Sequence, residues 1–246
     1  MNQTIHTLLN HRSIRSFTNE VLTEDQINTI VEAAQMASTS SYMQAYTIIG
    51  VTDPEKKQEL AEITGQSYVK DNGHLFIFCA DLYRHGILAS DLQKQDMLPN
   101  IENTEHFLVS AVDASLAAQN AAVASESMGL GMCYIGSIRN NIKRVDQLLQ
   151  LPEHVIPLFG MVVGYPDKQP EQKPRLPKRA VYHVNEYNKN QTEELRSFDH
   201  TIQDYYKSRK QNSRLDSWTD QMIRRFSHPM RMDVNEFVQS KGMNKR

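Results

Sequence analysis

Four short runs dense in β-branched and aromatic residues punctuate the chain: 46–52 (YTIIGVT), 74–82 (HLFIFCADL), 132–137 (MCYIGS) and 155–164 (VIPLFGMVVG). Each is too short for an independent helix and too continuously apolar for a strand wetted on one face, so each predicts a buried strand. Helical signals lie between them. Thr23 and Gln26 form a capping box, followed by Ile27, Ile30, Val31 and Ala34 at helical spacing. Asp53-Pro54 opens a second helix, since proline suits a first turn. Glu105 to Met128 predicts a long alanine-rich helix closed by Gly129, and IKRVDQLLQL a helix that stops before Pro152. The proline- and lysine-dense KQPEQKPRLPKR reads as an extended connector, and 192–246 as a mostly helical tail. Strands interleaved with helices predict one αβα layered core with a helical C-terminal excursion, the whole of 1–246 forming a single domain and 192–246 its basic extension.

With 246 residues, 39% of them hydrophobic and 23% charged, the chain has enough apolar side chain for a core, and wholesale disorder is excluded. The net charge of −2 is unevenly spread: from Arg196 onward there are 11 Lys+Arg against 6 Asp+Glu, leaving 16 against 23 before it. A basic tail on an acidic body suits an anionic ligand. The slightly acidic total argues against nucleic acid as partner, and the tail aromatics Tyr205, Tyr206, Trp218 and Phe226 are spaced like a helix core. Cys79 and Cys133 lie in separate apolar runs and read as buried thiols. No secretory leader precedes HRSIR, and the uncharged stretch around Ala114–Ser125 is short and interrupted, so a soluble cytoplasmic protein without membrane attachment is expected. No GxGxxG, GxxxxGK[ST], GxSxG or HExxH occurs, and the nine histidines offer no metal-ligand spacing, so no metal is expected.

Five groups carry donors suited to a polar ligand. His11-Arg12-Ser13-Ile14-Arg15 packs guanidinium forks and a hydroxyl into five residues. Thr39, Ser40 and Ser41 sit in a hydroxyl-rich loop after the first amphipathic helix. Gly129 and Gly131 precede Tyr134-Ile135-Gly136-Ser137, where glycine lets backbone approach a planar ligand. Lys173 and Arg175 project from a stiff, proline-flanked segment, and Arg209 and Arg214 bracket a polar loop in the basic tail. Taken singly, each of these also fits an ordinary cap, turn or solvated connector.

Their order is more specific. HRSIRxF near residue 11, STSSxxQ near 40, YIGS after a long alanine-rich helix, NNI, VIPLFGMVVGYP and then KPRLP form a succession that resembles the FMN-dependent nitroreductase family over essentially the whole chain. The similarity is to its NADPH-preferring branch of oxygen-insensitive nitroreductases and NADPH–flavin oxidoreductases. The resemblance implies an α+β, three-layer αβα sandwich around a mostly antiparallel sheet. It implies FMN contacts from His11, Arg12, Ser13 and Arg15, from Thr39, Ser40 and Ser41 of a partner subunit, from Gln66, from Tyr134, Ile135, Gly136 and Ser137, and from Lys173 and Arg175. It further implies that Arg209 and Arg214, with Lys210 between them, hold the 2′-phosphate of NADPH.

The same resemblance implies hydride transfer from NADPH through the flavin to a small-molecule acceptor, by ping-pong kinetics in a homodimer. No side-chain nucleophile or base is required, because the cofactor carries the chemistry; Arg15 or Lys173 would stabilise negative charge on the flavin. The acceptor stays open among nitroaromatics, quinones, free flavin and disulfides, and a flavin-binding sensor is the non-enzymatic alternative.

Overall fold

In the computed structural model, which describes residues 1–209 and 213–246, the four apolar runs are strands β1 (Tyr46–Val51), β2 (His74–Asp81), β3 (Gly131–Ile135) and β4 (Val155–Gly164). The helices are α1 (Gln3–Leu9), α2 (Glu24–Gln35), α3 (Pro54–Thr64), α4 (Asp91–Ile101), α5 (Thr104–Ser127), α6 (Ile142–Leu149), α7 (Thr192–Ser208), α8 (Trp218–Phe226) and α9 (Val234–Ser240). Two units are distinct: Met1–Pro170 with Arg231–Arg246, and Glu171–Met230.

The first unit holds one sheet, ordered β1-β2-β4-β3 and antiparallel at every pairing. Alternation along β2 sends Phe76 and Phe78 to one face and Leu75, Ile77 and Cys79 to the other. Phe76 and Phe78 pack with Met132, Met161 and Val163 against Ile30 and Ala34 of α2 and Ala114, Ala117, Ala118, Ala121 and Ala122 of α5. Leu75, Ile77 and Cys79 pack with Cys133, Ile135 and Val162 against Leu60 and Ala61 of α3 and Val145 of α6. These are the three αβα layers that the resemblance implied. Alanines along α5 let its axis approach the sheet closely, which leucines would prevent.

Local chemistry explains the boundaries. Thr23 and Gln26 close a reciprocal capping box on α2. The Asp53 carboxylate accepts from the N–H groups of Glu55 and Lys56, with Pro54 in the first turn of α3. At Pro157 the β2–β4 register shifts between Phe78 and Cys79, since proline offers no N–H to a ladder. Strand β3 ends two residues before the predicted 137, because Gly136–Asn141 winds into a 3-10 turn. Helices α1 and α4 were not expected from periodicity. The signals that mark them are caps: Asn2 accepts from the Ile5 N–H, and Ser90 and Gln93 form a capping box.

Helix α5, 24 residues long, is long and apolar enough to cross a membrane by length and composition, contrary to the sequence expectation. One of its faces is nevertheless built into the core, with Ser110, Asp113 and Ser125 fully buried. The C-terminal residues are stitched to the same unit: Lys245 and Arg246 pair with Glu102 at 2.8 and 3.0 Å, and Lys241 with Asp146 at 2.8 Å.

In the second unit, α7 and α8 enclose a small core of Phe198, Ile202 and Tyr206, flanked by Leu176, Tyr205 and Trp218. Residues 171–177 carry no regular structure, as their prolines predict. One tail aromatic departs from expectation: Phe226, at the last position of α8, is 84% exposed rather than core.

Candidate functional site

The edge of β3 is covered by the chain segment that carries HRSIR. Ser13 bridges Met132 in parallel register, the Ile14 N–H donates to the Met132 carbonyl at 2.9 Å, and Phe17 bridges Pro166. Ser16 donates to Asp167 at 2.8 Å, so both ends of the segment are pinned. A Cβ at Gly131 would come within 2.5 Å of Ile14 Cγ1, so only glycine permits this approach.

Extended backbone sends successive side chains to opposite sides, and this splits the donor cluster. Arg12 and Ile14 line a cavity of about 370 Å3 together with Glu126 and Gly131. His11 Nδ1 lies 2.8 Å from Glu126 Oε1 near the end of α5. Ser13 and Arg15 turn the other way, toward Tyr68 and Cys133. Burial pushes the Cys133 thiol up, while Arg15, Ser13 and Tyr68 favour its charged form. Burial likewise raises the Tyr68 phenol, with Cys133 adding to the rise and Arg15 opposing it. Tyr68 in turn donates to Gln66 Oε1 at 2.6 Å.

Ser13, Arg15 and Gln66 therefore converge through Tyr68 and Cys133, two residues that sequence reasoning did not place there. Cys133 directly precedes Tyr134 and Ile135 on β3, and Gly136 and Ser137 open the 3-10 turn that follows. There Tyr134 is fixed by a 2.8 Å hydrogen bond to the Ala118 carbonyl and an edge contact with Phe159. The Ser137 hydroxyl is buried without a hydrogen-bond partner among the described residues. A buried hydroxyl left unpaired is costly unless a ligand satisfies it.

Thr39, Ser40 and Ser41 do not join this group in the single chain. Their loop is tied to α5, where the fully buried Asp113 accepts from the Ser40 N–H at 3.1 Å and the Ala45 N–H at 3.0 Å. Ser41, Tyr42 and Gln44 all adopt positive φ (47°, 58° and 50°), a conformation disfavoured for non-glycine residues that surrounding bonds must hold in place. Asp113 does that, and a lone aspartate in an alanine-rich helix was the overlooked signal.

Within the second unit, Lys173 Nζ lies 5.7 Å and Arg214 Cζ 4.2 Å from the ring centroid of Tyr206, and Arg209 Cζ lies 5.7 Å from that of Tyr205. Arg175 donates to the Lys173 carbonyl at 2.8 Å. Lys210 lies outside the described residues. An adjacent tyrosine pair, read from sequence as plain helix core, thus collects three of the predicted cations.

Comparison with known proteins gives these residues their context. A sequence model described as "Nitroreductase family" matches residues 8–165, and one described as "Nitroreductase family, C-terminal domain" matches 173–246. The chain is 54% identical over 250 residues to an FMN reductase (NADPH) of Bacillus subtilis (strain 168), and 43% identical over 247 residues to an NADPH-flavin oxidoreductase of Vibrio harveyi, covering all of each. A solved NfrA1 nitroreductase from B. subtilis superposes with a TM-score of 0.94 at 52% identity, covering 99% of this chain and 100% of that one. An NADPH:FMN oxidoreductase from Vibrio harveyi, solved in complex with NAD+, superposes with a TM-score of 0.90 at 41% identity, with both chains fully covered. With the fold, the pinned HRSIR segment and both halves matched, the chain belongs to the nitroreductase family.

Proposed function

We propose that this protein is an FMN-dependent oxidoreductase that takes hydride from NADPH and delivers it to a small-molecule acceptor. The observation that carries the reading is the convergence of Ser13, Arg15 and Gln66 beside β3, with the buried Ser137 hydroxyl, four residues beyond Cys133, lacking a partner among the described residues. That donor set fits FMN: a guanidinium for negative charge, hydroxyls and an amide for a ring edge bearing both donors and acceptors. The relatives named as NADPH-linked flavin reductases support the choice of donor and cofactor.

When bound, FMN supplies a two-electron relay between donor and acceptor. Arg15, exposed at its outer end, presents a cation beside Tyr68 and Cys133, where it favours an anionic group. Ser13 and Gln66 supply neutral hydrogen bonds, and Ser137 adds one whose partner is missing among the described residues. Tyr134, held by α5 and Phe159, keeps the strand end rigid. Lys173 and Arg175 offer further cations to a phosphate, and Arg209 and Arg214 favour the 2′-phosphate of NADPH over the bare ribose of NADH.

The working unit in this reading is a cytoplasmic homodimer in which Thr39, Ser40 and Ser41 serve the partner's cofactor. Support comes from Leu108, Val112 and Leu116 of α5, spaced four apart and 52, 54 and 45% exposed, an apolar stripe that a second copy would cover. Both cysteines are buried and unpaired, as suits a reducing compartment.

Steady-state kinetics test the enzymatic reading. Varying NADPH at several fixed concentrations of a quinone or nitroaromatic should give parallel double-reciprocal lines. Intersecting lines would exclude the ping-pong scheme, and absence of NADPH oxidation with every acceptor would favour a flavin-binding sensor.

A further inference from the structure

The 3-10 turn Ser67–Val69 follows directly on Gln66 and contains Tyr68, so its placement decides where both side chains stand. No side chain caps its N-terminal end. Backbone N–H groups satisfy the first carbonyls: Val69 donates to Gln66 at 3.1 Å, and Lys70 and Asp71 donate to Ser67 at 3.0 and 3.2 Å. The next two carbonyls are taken by one side chain. Asn72 Nδ2 donates to the Tyr68 carbonyl at 3.0 Å and to the Val69 carbonyl at 2.8 Å. Asn72 Oδ1, by contrast, is buried without a hydrogen-bond partner among the described residues. An unpaired buried acceptor costs stability, and the fold tolerates it at a residue whose two donors both serve the turn.

Asn72 is itself firmly placed. Lys57 Nζ of α3 donates to its backbone carbonyl at 3.4 Å. Gly73 packs so closely that a Cβ there would lie 2.2 Å from Leu22 Cδ1 and 3.1 Å from Gly164 Cα at the end of β4. His74 then opens β2. The side chain that holds the turn is thus anchored to both the sheet and α3.

We propose that Asn72 is a positioning residue for the flavin ring, acting through the turn and Tyr68 on the amide of Gln66. This deepens the FMN reading and rests on it. The Tyr68 hydroxyl donates to Gln66 Oε1 at 2.6 Å, and with that oxygen engaged the Gln66 amide turns its N–H donors to a ligand. A donor aimed in advance loses less conformational freedom on binding than a free glutamine side chain. Without the Asn72 amide, two successive carbonyls lose their partner, and the end of the turn is free to rotate and draw Tyr68 away from Gln66. The chain of effect runs from a side chain outside the ligand's reach to the one that meets it.

The test is a flavin titration of the full chain, stripped of cofactor and read by fluorescence quenching, with FMN and with riboflavin, which lacks the phosphate. Asn72→Ala should weaken both flavins by about the same factor, fivefold, the scale of one lost hydrogen bond. Asn72→Asp removes the donors but keeps the side chain's shape; it should show the same loss, and it carries the test where truncation unfolds the chain. Gln66→Ala should weaken both flavins similarly, and adding Asn72→Ala to it should change nothing further. A merely structural role would not produce that non-additivity. If the Asn72 variants lower the urea midpoint but bind both flavins as the wild type does, the positioning role is overturned. The same holds if their loss is undiminished in the Gln66→Ala background, or falls on FMN alone. If Gln66→Ala binds both flavins normally, Gln66 does not meet the ring and the proposal falls while the FMN reading stands. If the wild type binds neither flavin, the FMN reading itself fails.

Discussion

Arg15 carries more of the account than any other side chain, because it is the cation that bears on Tyr68 and Cys133 beside β3. Arg15→Ala should lower FMN retention or slow flavin reduction by NADPH by roughly tenfold, the size of one lost charge-assisted hydrogen bond. Unchanged flavin content and an unchanged reductive half-reaction would remove Arg15 from the site. A second residue sets acid stability. His74, at the start of β2, is buried, and burial, with the nearby Lys57 charge, brings its imidazole down to about 4 from the ordinary 6.5. Below pH 6.5 the unfolded chain takes up a proton that the folded chain refuses until about pH 4, so stability is full above 6.5 and is lost as pH falls toward 4. The loss reaches on the order of 3 kcal/mol from this group alone. Urea midpoints measured from pH 7 to pH 4.5 should fall more steeply for the wild type than for His74→Gln; equal slopes would show that His74 does not titrate in this way.

Among the elements, the approach of the segment to β3 depends on Gly131 and the serine loop is tied to α5 by Asp113, and both can be tested. Gly131→Ala forces a Cβ against Ile14, an overpacking that should cost about 1–3 kcal/mol and shift Ser13 and Arg15, so FMN retention should fall along with Tm. Full FMN retention in this variant would separate the segment from the cofactor. Asp113→Asn weakens the acceptor for the Ser40 and Ala45 N–H groups and should destabilise by about 2 kcal/mol, read as a lower urea midpoint; an unaltered midpoint would show that the loop holds its positive-φ residues without it. Elements with strong local grammar were legible in the sequence: the capping box of α2, the Asp53-Pro54 start of α3 and all four apolar strands. Helices α1 and α4 were not, because neither buries a residue and so neither writes a periodic apolar stripe. The candidate site was legible as residue types in order, but not as contacts. Sequence spacing cannot show that β-alternation parts Arg12 from Arg15, or that Tyr68 and Cys133 link Gln66 to Ser13, since those pairs meet only through the sheet.

At the scale of the whole molecule, Leu108, Val112 and Leu116 form an exposed apolar stripe on α5, the surface on which the proposed homodimer is tested. If the proposed homodimer forms through this stripe, Val112→Glu should give a monomer on gel filtration with light scattering and lower flavin retention, since Thr39, Ser40 and Ser41 are proposed to reach the partner's cofactor; a variant that stays dimeric would place the interface elsewhere. The central claim is that these side chains assemble around bound FMN. Its most direct measurement is the absorption spectrum of purified protein after incubation with excess FMN and gel filtration, followed by anaerobic addition of NADPH. The account predicts a yellow protein carrying close to one FMN per chain that bleaches on NADPH addition. A folded, colourless protein, or a flavin band that NADPH leaves untouched, would contradict it.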